Sequence, residues 1–319
     1  MSLPASLKSR LRLPLIAAPM FLVSGPALVK AACRAGVIGS FPTANCRTVE
    51  ELDRWLADIK DGTDRTSAPF CPNLIVHRSN PRVPDGLAAV LRAKVEMVIT
   101  SVGSPEPVMK PLKDAGCLVL ADVASVRHAE KAVAAGVDGL VLLTAGAGGQ
   151  TGWVNPFAFV RAVRKFWDGM LVMAGGMSDG HAVRAAEVLG CDLAYMGTRF
   201  IATRESLAKD EYKQMLVESR LDDVLLTRAF TGLETNMLRP SIVAAGLDPD
   251  NLPVRGAIDI AKDINSAERD KPDARRWKDI WSAGHSVSGV TDVPSVAELV
   301  ERTAGEYAAA STAARSSPA

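Results

Sequence analysis

The sequence lacks a dominant charge, a long hydrophobic run and paired cysteines. Its 37 Lys and Arg residues nearly balance 36 Asp and Glu residues, which leaves a formal net charge of +1. No global field therefore attracts nucleic acid or an anionic membrane. No segment approaches the ~18 uninterrupted apolar residues of a membrane helix. We expect a globular protein without nucleic-acid or membrane partners.

Cysteine is also scarce: the 5 cysteines are scattered and form no CxxC pair. This spacing disfavours a zinc site and suggests a reducing compartment. Lys8, Arg10 and Arg12 precede the apolar run 13–23, a pattern that superficially resembles a secretory signal. Pro14 and Pro19 interrupt that run, so we interpret it as a buried first strand. The expected location is cytoplasmic, and we expect no metal site.

Short apolar runs alternate with amphipathic stretches along the first ~200 residues. Apolar runs without polar alternation are typical of parallel strands buried on both faces. The predicted strands cover residues 14–19, 37–40, 69–76, 95–100, 117–122, 138–143, 170–175 and 192–197. Eight strand–helix units are the number that closes a (β/α)8 barrel. An open doubly wound sheet is the alternative, but it usually needs fewer strands.

Helices are predicted between the strands, at residues 24–36, 48–59, 105–116, 125–136 and 178–190. Ser24, Thr48, Ser125 and Ser178 occupy the expected N-cap positions. Glycine follows four of the five helices, where a helix commonly ends. These glycines are Gly36, Gly116, Gly136 and Gly190.

The pattern changes after about residue 205. Residues 205–285 are mostly polar and helix-like, so we predict a helical cap or extension there. Residues 1–204 and 286–310 should form the barrel, with a last helix at 293–310 packing back on it. The low-complexity end, residues 311–319, is predicted to be disordered.

Glycines follow the predicted seventh and eighth strands. In (β/α)8 barrels, the loops after these strands often hold a phosphate. Gly175, Gly176 and Gly197 leave backbone N–H groups uncovered, and Thr198 adds a hydroxyl. We predict an anion site here; two ordinary strand-ending turns are the alternative.

A denser glycine cluster, 145-AGAGGQTG-152, follows the sixth strand. A dinucleotide fingerprint would need a third glycine at position 151, which is Thr151, and an acidic residue about 20 positions on. The Rossmann interpretation therefore fails. The cluster indicates instead that something approaches the backbone closely.

Five segments resemble the nitronate monooxygenase (2-nitropropane dioxygenase) family. They are 14-PLIAAPM-20, Asn73 within PFCPNL, the pair of glycine-bearing segments at 145–152 and 174–200, and 281-WSAGH-285. The resemblance covers about residues 12–300 and keeps the family's order. The same superfamily includes enoyl reductases and NADH:quinone reductases that use flavin.

The resemblance implies a barrel that holds one FMN. Asn73 would hydrogen-bond the flavin ring, and Asp122 occupies a ring-side position where some relatives carry a lysine. The other implied cofactor contacts are Ala18, Pro19 and Met20 along the ring edge, Gly148 and Gly149 beside it, and Gly175, Gly176, Gly197 and Thr198 at the phosphate.

Two departures from the family pattern bear on the reaction. The family commonly carries a histidine where this chain has Gln150, and a neutral amide cannot take a proton from carbon. The family often has glutamine where this chain has His285. We predict that Gln150 orients a substrate oxygen and that His285 supplies the missing proton chemistry; a polar rim position is the alternative for His285.

The remaining aromatic and histidine side chains near these motifs can also be explained without a role in catalysis. Trp153 and Phe157 could wall the substrate pocket or anchor the glycine loop. His77, His128 and His181 are expected in solvated positions.

The predicted function is oxidation of alkyl nitronates by O2 in a monomer or homodimer. NAD(P)H-dependent reduction of a quinone or enoyl group is the second candidate. A barrel without redox chemistry that binds a phosphorylated metabolite is the third. Resemblance to a family does not by itself establish that this chain catalyses the family's reaction.

Overall fold

Eight parallel strands close into a barrel. A computed structural model describes residues 3–253 and 278–316 of the chain. The barrel strands are β1 (Leu15–Ala17), β2 (Ile38–Pro42), β3 (Phe70–Ile75), β4 (Met97–Ser101), β5 (Leu118–Val123), β6 (Gly139–Leu143), β8 (Met170–Ala174) and β9 (Leu193–Met196). Each pairs in parallel with the next, and β9 pairs with β1 through Ile16 and Tyr195. The predicted (β/α)8 barrel is confirmed.

Helices connect the strands and surround the barrel. In chain order they are α1 (Ala5–Lys8), α2 (Pro26–Arg34), α3 (Val49–Asp61), α4 (Val83–Ala93), α5 (Glu106–Asp114), α6 (Val126–Ala134), α7 (Pro156–Val163), α8 (Gly180–Leu189), α9 (Thr198–Ile201), α10 (Asp210–Glu218), α11 (Arg239–Ala244) and α12 (Val296–Ser316). The five helices named from the sequence correspond to α2, α3, α5, α6 and α8, and α4 and α7 occupy the two remaining connections between barrel strands. Both α4 and α7 have a proline in the first turn. Proline suits that position, since the N–H it lacks has no partner there. No helix in the described part of the chain combines the length and hydropathy needed to cross a membrane.

The helix boundaries follow the predicted caps in most cases. Thr48 and Ser125 accept hydrogen bonds from first-turn N–H groups, and the four helix-ending glycines adopt positive φ. Ser24 and Ser178 are not caps; Gly25 and Asp179 hold those positions. Ser24 is instead buried, where its hydroxyl accepts a bond from the Met20 N–H group at 3.0 Å.

A small antiparallel sheet lies over the carboxyl end of the barrel. It consists of β7 (Gly149–Gln150), β10 (Val224–Thr227) and β11 (Thr235–Leu238), in the order β10-β11-β7. The region 205–285 thus contains α10 and α11, as a helical region should, together with two strands that the sequence did not predict. Residues 254–277 of the predicted cap lie outside the described residues.

The last helix, α12, packs against α8. The Gly180 N–H group donates to the Glu306 carboxylate at 2.9 Å, and a Cβ on Gly180 would lie 2.1 Å from the Tyr307 nitrogen. Only glycine permits this approach. The helix extends to Ser316, past residue 310, where the sequence predicted it to end. Residues 317–319 of the predicted tail lie outside the described residues.

Apolar side chains fill the barrel interior. Fully buried members include Ile16, Ile38, Ile99, Val141 and Val172. Because the interior is packed in this way, small molecules can bind only above it, at the carboxyl ends of the strands.

Candidate active site

A cavity of about 380 Å³ opens at the carboxyl end of the barrel. Strand ends contribute its floor, and the loop after β6, residues near α10 and the 278–286 segment contribute its walls. Every cofactor residue predicted from the sequence lines this cavity, and so does Gln150. The structure thus brings these residues together, while their individual roles stay predictions.

Glycine-bearing turns after β8 and β9 border the cavity, and the turn after β8 has an unusual backbone conformation. Gly175 has φ +116° and Gly176 has φ +72°, a region that residues with a Cβ rarely adopt. A Cβ on Gly175 would also lie 2.4 Å from Thr144 Oγ1, whereas one on Gly176 would meet no atom within 4 Å. Conformation is therefore what requires glycine at position 176.

Gly197 and Thr198 complete this corner. A Cβ on Gly197 would lie 3.6 Å from the Ala18 Cβ, so a larger side chain there would extend along the cavity wall. The Thr198 hydroxyl accepts a hydrogen bond from the Gly284 N–H group at 2.9 Å. Thr198 therefore also ties the 281–285 segment to the barrel.

The glycine loop after β6 passes close to protein backbone. A Cβ on Gly148 would lie 2.7 Å from the Gly284 nitrogen, and Gly149 has φ +64°. The buried Asn236 side chain donates to the Ala147 carbonyl at 2.7 Å and so joins the loop to β11. Gly148 thus makes room for the 283–284 backbone, and both glycines also line the cavity.

Gln150 and His285 do not share the cavity. Gln150 is half-buried, pairs with Thr235 through β7 and lines the cavity. His285 is exposed, and its backbone N–H donates to the Gly146 carbonyl at 2.9 Å. It begins a 3₁₀ turn (His285–Gly289) that turns Ser286 inward, so Ser286 lines the cavity and His285 does not. The predicted role of His285 beside the flavin has no support in this geometry.

Asn73 presents a held amide at the end of β3. Asn73 is buried, and its Nδ2 lies 3.1 Å from Ser101 Oγ. Its backbone carbonyl accepts from the Thr43 hydroxyl. Asn73 lines the cavity, and its contacts with Ser101 and the Ile99 carbonyl hold the amide in one orientation.

Asp122 and Tyr195 each bury an oxygen atom at the cavity. Among the described residues, neither Asp122 Oδ1 nor the Tyr195 hydroxyl oxygen has a hydrogen-bond partner. Burial raises the pKa of Asp122 to about 8, and burial followed by the nearby Asp122 raises the pKa of Tyr195. Sequence reasoning missed Tyr195. Strand alternation could have found it, since Leu193, Tyr195 and Gly197 share the inward face of β9.

Apolar side chains form the outer walls. Trp153 and Phe157 are not among them, since they are 73% and 63% exposed and the cavity lining omits both. The outer aromatic walls include Phe21, Tyr212 and Trp281, and Trp281 stacks on Tyr212 at a ring distance of 4.9 Å. His128 and His181 are exposed, as predicted. His77 contacts Ser79 at 2.8 Å.

The fold is a (β/α)8 barrel with its cavity at the carboxyl ends of the strands, and its family makes the protein a flavin-dependent oxidoreductase. The chain belongs to the nitronate monooxygenase family, whose sequence model matches residues 83–305. The family and the enzyme class expected from the sequence are therefore confirmed.

Individual relatives carry more than one activity. The chain is 28% identical to a nitronate monooxygenase of Paraburkholderia phytofirmans, covering 90% of each protein. It is 26% identical over 279 residues to an octahydroindene-carboxyl-CoA dehydrogenase of Rhodococcus jostii, covering 88% of this chain and 76% of that one.

Solved structures show the same architecture. A nitroalkane oxidase from Streptomyces ansochromogenes superposes with a TM-score of 0.82 at 25% identity, over 97% of this chain and all of that one. FabK from Thermotoga maritima superposes with a TM-score of 0.79 at 24% identity, over 97% and 96% of the two chains, which shows a common fold.

Proposed function

We propose that the protein binds FMN and oxidises alkyl nitronates that reach it already ionised, with O2 as the electron acceptor. The observation that carries this proposal is the composition of the cavity. A neutral amide, Gln150, occupies the loop where the family pattern has histidine, and His285 lies outside.

The proposed cofactor fits the residues present. Gly175, Gly176, Gly197 and Thr198 would hold the phosphate at the ends of β8 and β9, where barrels of this class commonly bind one. Ala18, Pro19 and Met20 would follow the ring edge, and Asn73 would donate its amide to the ring. When bound, the flavin supplies the electron-accepting chemistry. A site that grips a terminal phosphate supports FMN as the form of flavin.

We infer that the substrate brings its own negative charge, because Gln150 stands at the family's histidine position and an amide has no useful pKa. Burial raises the pKa of Asp122 to about 8, so this carboxyl is mostly protonated at neutral pH. A nitronate has already lost its carbon-bound proton. Gln150 would then only orient an oxygen of the substrate.

Reduction of an enoyl or quinone group by NAD(P)H is a second candidate. The apolar walls of the cavity and the similarity to a dehydrogenase of a carboxyl-CoA compound favour it. Such reactions need a proton donor at neutral pH, and Asp122 is a protonated group that lines the cavity.

Anaerobic mixing tests these proposals. The purified protein should be yellow, and the flavin released on denaturation should be FMN. A preformed nitronate should reduce the bound flavin, whereas rapid reduction by NADH or NADPH alone would select the reductase. A colourless protein that cannot be reconstituted with flavin would leave only a barrel without redox chemistry.

A further inference from the structure

Two polar side chains line the cavity from different strands, Asp122 near the end of β5 and Tyr195 within β9. Among the described residues, neither Asp122 Oδ1 nor the Tyr195 hydroxyl has a hydrogen-bond partner. Burying a polar atom without a partner costs its full desolvation, so such atoms commonly await a ligand.

The surroundings keep both groups neutral. Burial is the cause that raises the pKa of Asp122, and burial, Asp122 and Cys71 raise that of Tyr195. Among the described residues, no lysine, arginine or histidine lowers the pKa of either group. Lys209 at the cavity wall is paired with Asp279 at 3.2 Å. The pair therefore presents hydrogen-bond donors and not negative charge at neutral pH.

We propose that Asp122 and Tyr195 form a neutral two-donor site that binds an oxygen atom carrying full or partial negative charge. A protonated carboxyl beside a tyrosine can act in this way when an apolar site keeps the carboxyl neutral. Two molecules in the cavity could supply the oxygen: a substrate with a carbonyl, nitro or nitronate group, or the flavin ring through a carbonyl. The second source rests on the proposed flavin, whereas the donor site itself is a property of the chain.

Three variants separate the contributions. Asp122→Asn keeps a donor but cannot ionise, and Tyr195→Phe removes the second donor. Leu143→Met is the matched control, because Leu143 lines the same cavity from the neighbouring strand β6 and carries no polar atom.

The first arm measures binding of 2-cyclohexenone to the oxidised holoenzyme without reductant, from about pH 5 to 9. This probe carries a conjugated carbonyl and does not titrate in that range. Wild-type and Leu143→Met protein should lose roughly tenfold in affinity as Asp122 ionises, whereas Asp122→Asn should show no such loss. Tyr195→Phe should bind roughly tenfold more weakly throughout.

The second arm measures the midpoint potential of the bound flavin over the same pH range. If the flavin carbonyl is the acceptor, the slope of potential against pH should change where Asp122 titrates, and Asp122→Asn should remove that change. A pH-dependent change in the affinity or in the midpoint potential supports the site if Asp122→Asn abolishes it. Which of the two quantities changes identifies the molecule that supplies the oxygen. If Asp122→Asn and Tyr195→Phe both behave like the wild type in the binding and the potential measurements, the proposed two-donor site is wrong.

Infrared spectroscopy of the protein at neutral pH supplies a check that needs no flavin. A protonated carboxyl band that Asp122→Asn lacks and Leu143→Met retains is expected. Its absence from the wild type would refute the site even if the flavin proposal holds. Its presence in a protein that never binds flavin would support the site while the proposed function fails.

Discussion

The ends of the barrel strands and the small sheet above them line the same cavity, but they contribute different kinds of residues to it. The strand ends contribute the held amide of Asn73, the side chains of Asp122 and Tyr195, and the glycine turns after β8 and β9. The sheet side contributes apolar walls and Gln150, attached through bonds such as that from Asn236 to Ala147. Changes at the strand ends should therefore affect chemistry, and changes in the sheet should affect local stability.

The largest effect is expected at Gly197. A leucine there would extend along the cavity wall beside Ala18 without meeting backbone at close range, so Gly197→Leu should fold and lose most of its bound flavin. Gly305→Leu is the matched control, because a Cβ at this position in α12 meets nothing within 4 Å and the residue lies outside the cavity lining. Flavin content and circular dichroism check both variants. Full flavin occupancy in Gly197→Leu would contradict the assigned phosphate corner.

The next effect concerns pH and Asp122. Its folded pKa of about 8 lies above the ordinary value of 3.8, so the folded state holds a proton that the unfolded state has released between these values. The free energy of unfolding should therefore fall as pH rises through this window, by at most about 1.4 kcal/mol per pH unit.

Asp122→Asn should remove this fall. Denaturant unfolding at about pH 5, 6, 7 and 8, with flavin kept saturating, measures the free energy of unfolding. Equal slopes against pH in the variant and the wild type would show that Asp122 is not held protonated.

A smaller effect is expected in the sheet. Asn236 is 2% exposed and donates to the Ala147 carbonyl, so Asn236→Ala leaves that buried carbonyl unsatisfied, at a cost of about 1–3 kcal/mol. Hydrogen exchange should speed up in the glycine loop and in β11 while the barrel strands stay protected. Thr48→Ala, which removes a cap on α3, offers a comparable loss on the barrel side and should leave the loop unchanged.

The smallest effect is expected at His285. Because its side chain is exposed and outside the cavity lining, His285→Gln should leave kcat/KM and its pH profile near the wild-type values. If His285→Gln instead loses an ionisation in the histidine range from its pH profile of kcat/KM, and kcat/KM falls about 10²–10⁴-fold, His285 acts as an acid–base group.

The contrast between strand ends and sheet also explains what the sequence revealed. Buried parallel strands produce continuous apolar runs, so all eight barrel strands were predicted, and the glycines at their ends marked the rim of the cavity. β10 has a half-exposed pattern and β7 has only two residues, Gly149 and Gln150, so neither produces a recognisable period.

His285 shows the limit of motif comparison. The segment 281-WSAGH-285 placed the residue near the cavity in sequence, and Ala283 and Ser286 do line it. Which side chain points inward depends on the 3₁₀ turn that begins at His285, and on the bond from its N–H group to Gly146. Tertiary contacts set this orientation, and no local pattern records it.

The central proposal is that the protein oxidises nitronates and not neutral nitroalkanes, because Gln150 replaces the family's histidine and Asp122 is mostly protonated at neutral pH. Anaerobic stopped-flow reduction of the bound flavin at neutral pH measures it directly, with 2-nitropropane compared against its preformed nitronate. The account predicts reduction by the nitronate and none by the neutral nitroalkane beyond its slow spontaneous ionisation. Rapid reduction by neutral 2-nitropropane would show a base in the cavity and contradict the account.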